Sequence, residues 1–176
     1  MIFSLVRVDN RLIHGQILEA WVPYIQASCL VVADDEVASD FFRETVIRMA
    51  VPRDIEVVIT SVDDFARSHG FEEHSGKKTI LLLSSIGAAR KMLGLGFRFD
   101  RLNVGNVFSE QGYVRCARSI HFTETDIEDI LHMMEQGVRV ELRCVPKDKP
   151  LEFIDALKKT KHELPASVKK DKNVVA

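Results

Sequence analysis

Apolar residues follow two alternating rhythms along the chain. Runs such as CLVVA and ILLL are apolar on consecutive residues, the pattern of strands covered on both faces. Between them lie segments with helical spacing. Strands are predicted at 2–8, 28–34, 54–60, 77–85, 101–105, 118–122 and 138–145, with helices from residue 15, over 36–50 and between most of the later strands. The clearest helix is 124–136, where Ile127, Ile130, Leu131 and Met134 share one face. Thr123 and Asp126 form a T-x-x-D capping pair at its start, and Gly137 can take the left-handed conformation at its stop. Strand and helix in alternation require crossover connections. The expected class is therefore α/β: a single domain with a mainly parallel, open twisted sheet of about seven strands and helices on both faces.

Composition adds limits to this picture. The chain has 176 residues, 46% of them hydrophobic, enough for one sizeable core and too few for two comfortable ones. Residues 1–160 are expected to form the domain, and 161–176, rich in lysine around Pro165, a polar tail. A net charge of -2 gives no general attraction to nucleic acid or to an anionic membrane. No apolar run reaches the roughly 20 residues of a membrane span, and MIFSLVRVD lacks the layout of a secretion signal, so a cytoplasmic location is expected. The three cysteines, Cys29, Cys116 and Cys144, contain no C-x-x-C pair for zinc or redox exchange. Cys29 and Cys144 read as buried small hydrophobes.

Candidate chemistry concentrates in VRVDNRLIHGQILEAW, residues 6–21. The first strand runs into a loop holding Asp9, Arg11 and His14, and Gly15 then opens a helix. Loops at the carboxyl ends of parallel strands are the usual ligand sites of such sheets. Free amides at Gly15 and Gln16 would face an anion beside His14, and Arg11 adds a fork of donors suited to phosphate oxygens. Asp9 can hold Arg11 or bond an imidazole nitrogen, which would leave the other nitrogen to react. The group suits a histidine that is itself phosphorylated, with no metal and no cofactor. On spacing alone, a histidine preceding a glycine is more often a plain turn residue.

RVDNRLIHGQ resembles the active-site segment of the IIB component of the mannose, fructose and sorbose family of the bacterial phosphoenolpyruvate-dependent sugar phosphotransferase system (PTS). LVVADDEVASD, MAVPRDIEVVITSVDDFA, LNVGN and LHMMEQGVRVELRCVPKDKP extend the likeness over roughly residues 2–150. The resemblance implies a seven-stranded sheet and a phosphoryl carrier. His14 would accept the group from a phosphohistidine of a IIA component and pass it to a sugar delivered by the membrane components IIC and IID. Arg11 would contact the phosphoryl group and Asp9 would organise the loop, while Gly15 and Gln16, by their place at the helix N-terminus, are expected to bind the phosphoryl oxygens. The implied place is the cytoplasm, peripheral at the inner face of the membrane through the permease. Two other readings suit the same residues: a regulatory phosphoprotein that never delivers to sugar, and a non-catalytic anion-binding domain.

Some segments depart from the pattern or invite other chemistry. Pro23 predicts a kink or early end in the first helix. The segment 107–119 is less like the family than its flanks, and the chain after Pro150 has no clear match. His69, Glu72, Glu73 and His74 lack the H-E-x-x-H order and read as a solvated connection. Asp34 and Asp35 read as caps for the next helix. The glycines of LGLGFRFDRLNVGN do not match a nucleotide loop. Trp21, Phe41 and Phe42 are expected to pack in the core. Among the other histidines, His121 reads as strand, His132 as helix and His162 as tail.

Overall fold

In a computed structural model of the chain, residues 3–68, 76–109, 114–117 and 119–160 are described. The 69–75 connection and the 161–176 tail, which hold His69, Glu72, Glu73, His74 and His162, lie outside the described residues. The main sheet comprises β1 (Leu5–Asp9), β2 (Cys29–Ala33), β3 (Glu56–Thr60), β4 (Thr79–Leu83), β5 (Arg101–Asn106), β8 (Arg139–Leu142) and β9 (Leu151–Glu152). Their spatial order is β3-β2-β4-β1-β5-β8-β9, and every pair is parallel except β8 with β9. Leu30, Val31 and Val32 of β2 pair in register with Ile80, Leu81 and Leu82 of β4. All six are fully buried, as the consecutive apolar runs require.

The sheet has seven strands as expected, but its membership differs. Ile120–Phe122 (β7) pairs antiparallel with Val114–Ala117 (β6) in a separate ribbon, touching the end of β5 through a single bridge from Val107 to Ile120. The seventh place goes to β9, whose two residues are too few for a periodic pattern to reveal.

Helices cover both faces. On one side lie α4 (Val62–Arg67), α5 (Ile86–Gly94), α6 (Glu124–Glu135) and α7 (Phe153–Lys159). α6 has the predicted capping box: the Thr123 hydroxyl accepts from the Asp126 amide and the Asp126 carboxylate from the Thr123 amide. Ile127, Ile130 and Leu131 are buried as predicted, but Met133 is the fully buried methionine and Met134 only half-buried.

The other face carries a π-helical segment, Gln16–Trp21, that runs directly into α1 (Val22–Ile25), followed by α2 (Asp35–Ser39) and α3 (Phe41–Ala50). The widened turn, with the Val22 amide bonded to the Ile17 carbonyl, comes just before Pro23. Pro23 is the second residue of α1, where the widened turn before it accommodates the ring and the missing N–H, and the helix ends at Gln26 in a left-handed conformation (φ 59°). The single helix predicted over 36–50 is two. Asp40 adopts an extended conformation and accepts from the Phe42 and Arg43 amides, ending α2 and capping α3. This break turns Phe41 and Phe42 outward, 84% and 74% exposed, contrary to the core packing expected of them, whereas Trp21 is buried.

Candidate active site at the carboxyl end of β1

The chain leaves β1 toward β2 on one side of the sheet and leaves β5 toward β8 on the other, so the adjacent ends of β1 and β5 flank a topological switch point. The loop 10–15 sits there and is pinned on both sides. The Asn10 amide bonds the Asn106 carbonyl (3.0 Å), and its side-chain amide donates to the Ser84 carbonyl (3.0 Å). A tight turn follows, with the Leu12 amide bonded to the Asp9 carbonyl (2.9 Å). Leu12 has φ 53°, uncommon for a residue with a branched side chain, and its buried side chain anchors the turn in the core.

That turn gathers the three predicted residues. Asp9 is fully buried. Its Oδ2 lies 2.9 Å from His14 Nε2, and its Oδ1 accepts the Arg11 amide at 3.1 Å. The Arg11 side chain is half-exposed, its Nε 3.7 Å from Asp9 Oδ1, and its Nη2 donates to Gln16 Oε1 at 3.0 Å. Gln16 thus has two parts in the site: its side chain holds Arg11, and its amide points at His14 Nδ1 from 3.4 Å. Gly15 has ordinary helical angles (φ -51°, ψ -41°). The amides of Ile17 and Leu18 already bond the His14 carbonyl, which leaves the Gln16 amide as the one directed at the ring.

Sequence reasoning missed Arg7. It is fully buried in the middle of β1, and its Nη2 donates to Asp9 Oδ2 at 2.9 Å. Its signal was present: an arginine in an apolar strand, two residues before an aspartate, lies on the same face and must be paired if it is buried. Burial alone would raise the pKa of Asp9, but the hydrogen bond from His14 and the charge of Arg7 outweigh it and hold the carboxyl below its ordinary value. Burial pulls the Arg7 guanidinium below its ordinary value, against the opposing effect of Asp9.

An ionised carboxylate can only accept, so His14 Nε2 carries the hydrogen and Nδ1 keeps its lone pair. Nδ1 faces the Gln16 amide, and Nε2 faces the buried Asp9 carboxylate. The ring can therefore act as a nucleophile through Nδ1, beside donors suited to an anion.

The remaining candidates have structural roles. Asp34 caps α2, accepting from the Val37 amide at 2.8 Å, and Asp35 accepts from the Val62 amide at 2.8 Å and pairs with Lys91. With Asn10, Ser84 and Ser85 they line an open cleft of about 550 Å³ beside the loop. Cys29 is buried, and burial pushes its thiol pKa up. Cys144 is half-buried rather than buried, its Sγ 3.1 Å from Ser119 Oγ. His121 lies in β7 with its ring 5.6 Å from that of Phe108, and His132 is exposed on α6. No cluster of metal-ligating side chains occurs among the described residues.

Fold and site together define a doubly wound α/β domain with a histidine held against a buried carboxylate at its switch point. Residues 3–168 match the family described as PTS system sorbose subfamily IIB component, and the chain belongs to that family. It is 29% identical over 154 residues to the fructose-specific EIIB component of Bacillus subtilis, covering 88% of this chain and 94% of that protein. It is 28% identical over 159 residues to the mannose-specific EIIAB component of Escherichia coli, covering 90% of this chain and 49% of that protein. The chain thus spans about half the length of that two-part relative. The IIBSor domain of the sorbose permease from Klebsiella pneumoniae shares the fold, with a TM-score of 0.82 at 24% identity over 91% of this chain and 98% of that one.

Proposed function

We propose that the protein is the sugar-specific phosphocarrier of a PTS permease, with His14 as its phosphoryl acceptor. The observation that carries this reading is the 2.9 Å contact from His14 Nε2 to the buried Asp9 carboxylate, which leaves Nδ1 as the unprotonated nitrogen, engaged only by the long 3.4 Å bond from the Gln16 amide. The Nδ1 lone pair attacks the phosphorus of a phosphohistidine on a IIA component. The donor N–P bond breaks and its electron pair returns to the donor ring. A hydroxyl oxygen of a sugar, presented by IIC and IID, then attacks the same phosphorus. The bond to Nδ1 breaks, the pair returns to His14, and the hydroxyl proton leaves to a base on the acceptor side. The donor and acceptor histidines have similar chemistry, so the first transfer is close to thermoneutral, and positioning and charge stabilisation supply most of the catalysis.

The residues divide this work. Arg11 and the amides of Gly15 and Gln16 meet the phosphoryl oxygens, and Asp9 holds the ring in its reactive tautomer. Residues 1–160 form the carrier unit. No helix among the described residues is long and apolar enough to cross a membrane, which suits a carrier working in the cytoplasm and meeting the permease at its inner face. A carrier that visits two partners in turn needs fast dissociation, and therefore a small interface around His14.

The test is incubation of wild type and His14→Ala with phosphoenolpyruvate, the general PTS proteins and a IIA component, read by intact mass. One acid-labile phosphoryl group on wild type and none on a folded His14→Ala is expected. Persistent labelling of that variant would move the acceptor to another histidine, and an unlabelled wild type would favour the anion-binding reading.

A further inference from the structure

We propose that Arg7 is a positioning residue for phosphoryl transfer: by locking the Asp9 carboxylate it selects the His14 nitrogen that reacts and frees Arg11 for the phosphoryl group. This rests on the reading of His14 as the acceptor.

Three strands and the chain after β8 converge on one buried cation. Arg7 Nη2 donates to Asp9 Oδ2 (2.9 Å) and to the Cys144 carbonyl (3.1 Å), while Nη1 donates to the Arg143 carbonyl (2.9 Å) and to Asn103 Oδ1. Asn103, its register partner on β5, is turned so that its own amide donates to Glu141 Oε1 on β8 (3.1 Å), presenting its oxygen to Arg7. The guanidinium stands 5.3 Å from the Trp21 ring centroid. Gly105 completes the cradle, because a Cβ there would overlap the guanidinium, which is tethered at both ends and cannot swing away.

Stability is a poor explanation for this arrangement. A buried ion pair roughly breaks even against apolar residues of similar volume. Arg7 Nε is buried with no hydrogen-bond partner among the described residues, which counts against the pair as a source of stability. Leu82, the register partner of Arg7 on β4, is fully buried, so this face of the sheet supports ordinary core residues.

The explanation lies in what Asp9 would do without Arg7. Three cationic or protonatable side chains face Asp9: Arg7 on its own strand, and Arg11 and His14 on the loop. With Arg7 in place, Oδ2 accepts from both Arg7 and His14, and Arg11 stays 3.7 Å away, bonded to Gln16. Without it, Arg11 is the nearest remaining permanent charge. Closing that pair would draw Arg11 off Gln16 and away from the phosphoryl position. A protonated Asp9 would be worse still. It would donate to Nε2 and move the ring hydrogen to Nδ1, the nitrogen that must attack.

Arg7→Gln separates this role from simple packing. In wild type, imidazole ¹⁵N shifts should report a ring protonated at Nε2, and Arg7→Gln should show a mixture of both tautomers. Transfer from a IIA donor should slow by about 10- to 100-fold, the usual cost of losing a residue that orients a reacting group. In Arg7→Ala, millimolar guanidinium ion should restore part of the rate and methylammonium should not, since only the planar fork can reach the converging acceptors. A folded Arg7→Gln that keeps the wild-type tautomer and transfers within about twofold of wild type would overturn the proposal. If Arg7→Gln does not fold, Asn103→Ala replaces it, with the same tautomer shift expected and an unchanged tautomer counting against the proposal. The ¹⁵N measurement needs no donor protein, so its failure is distinct from failure of His14 to be labelled.

Discussion

Two arginines touch Asp9, one from below and one from above, and they live in different environments. Arg7 has no exposed surface and meets Asp9, Asn103 and two backbone carbonyls. Arg11 is half-exposed and is held by a single side-chain bond to Gln16, with its charge 3.7 Å from Asp9. The floor of the site is built for one geometry. The rim keeps its donors available because little else claims them. This contrast teaches that preorganisation and availability sit on opposite sides of the same carboxylate, and that the tautomer of His14 couples them.

Asp9→Asn attacks the floor and should have the largest effect. It leaves Arg7 buried beside a neutral amide, a change expected to cost about 3–5 kcal/mol of stability. Loss of the selected tautomer should lower phosphorylation on the order of 10²- to 10⁴-fold. A urea or thermal unfolding curve and a transfer assay on the folded fraction check the two separately. The stability loss should also depend on pH. Because the folded-state pKa of Asp9 lies below its ordinary value, its contribution is present above the unfolded value of about 3.9 and disappears as pH falls through the folded value. The gap between wild type and Asp9→Asn should therefore narrow in acid.

Arg11→Lys tests the rim. It keeps the charge and loses the fork, so transfer should slow by about tenfold or more while the melting temperature stays within a degree or two. An unchanged rate would remove Arg11 from the phosphoryl site. Gly15→Val should have the smallest effect and is the sharpest discriminator. Gly15 has helical angles, and an added Cβ would meet only the Glu19 carboxyl, at 3.8 Å. Stability should hardly change, yet a branched side chain beside the Gln16 amide should weaken phosphorylation by several-fold. Parallel losses in stability and labelling would make Gly15 a structural residue and shift the anion-binding role to Arg11 alone.

A second pair of elements shows where reading the sequence succeeds and where it stops. α6 and α3 both carry apolar residues at helical spacing. In α6 the stripe, the capping box and the stop are local, and three of the four predicted positions are buried. In α3 no residue is buried, and Phe41, Phe42 and Met49 face solvent. Periodicity says that one side of a helix is apolar, but what covers that side depends on how the helix is joined to the sheet. Here a single extended residue, Asp40, changed the answer.

The site divides along the same line. Asp9, Arg11, His14, Gly15 and Gln16 lie within eight consecutive residues, so the strand-loop-helix pattern alone placed them together and located them at the carboxyl end of the first strand. The alternating strands and helices likewise determined a mainly parallel sheet, because a helix between two strands carries the chain back to the end where the first began. Tertiary structure decided everything that depends on contacts distant in sequence. The ribbon of β6 and β7 stays outside the main sheet, and the two-residue β9 joins it, through pairings that no local rhythm encodes. Arg7 finds its acceptors at Asn103, Arg143 and Cys144, about one hundred or more residues away. Gly105 matters for the side chain it leaves out, and only the fold says whose space that is. A local pattern can place a histidine beside an aspartate, but which of its nitrogens faces outward is set by long-range packing around the carboxylate it touches.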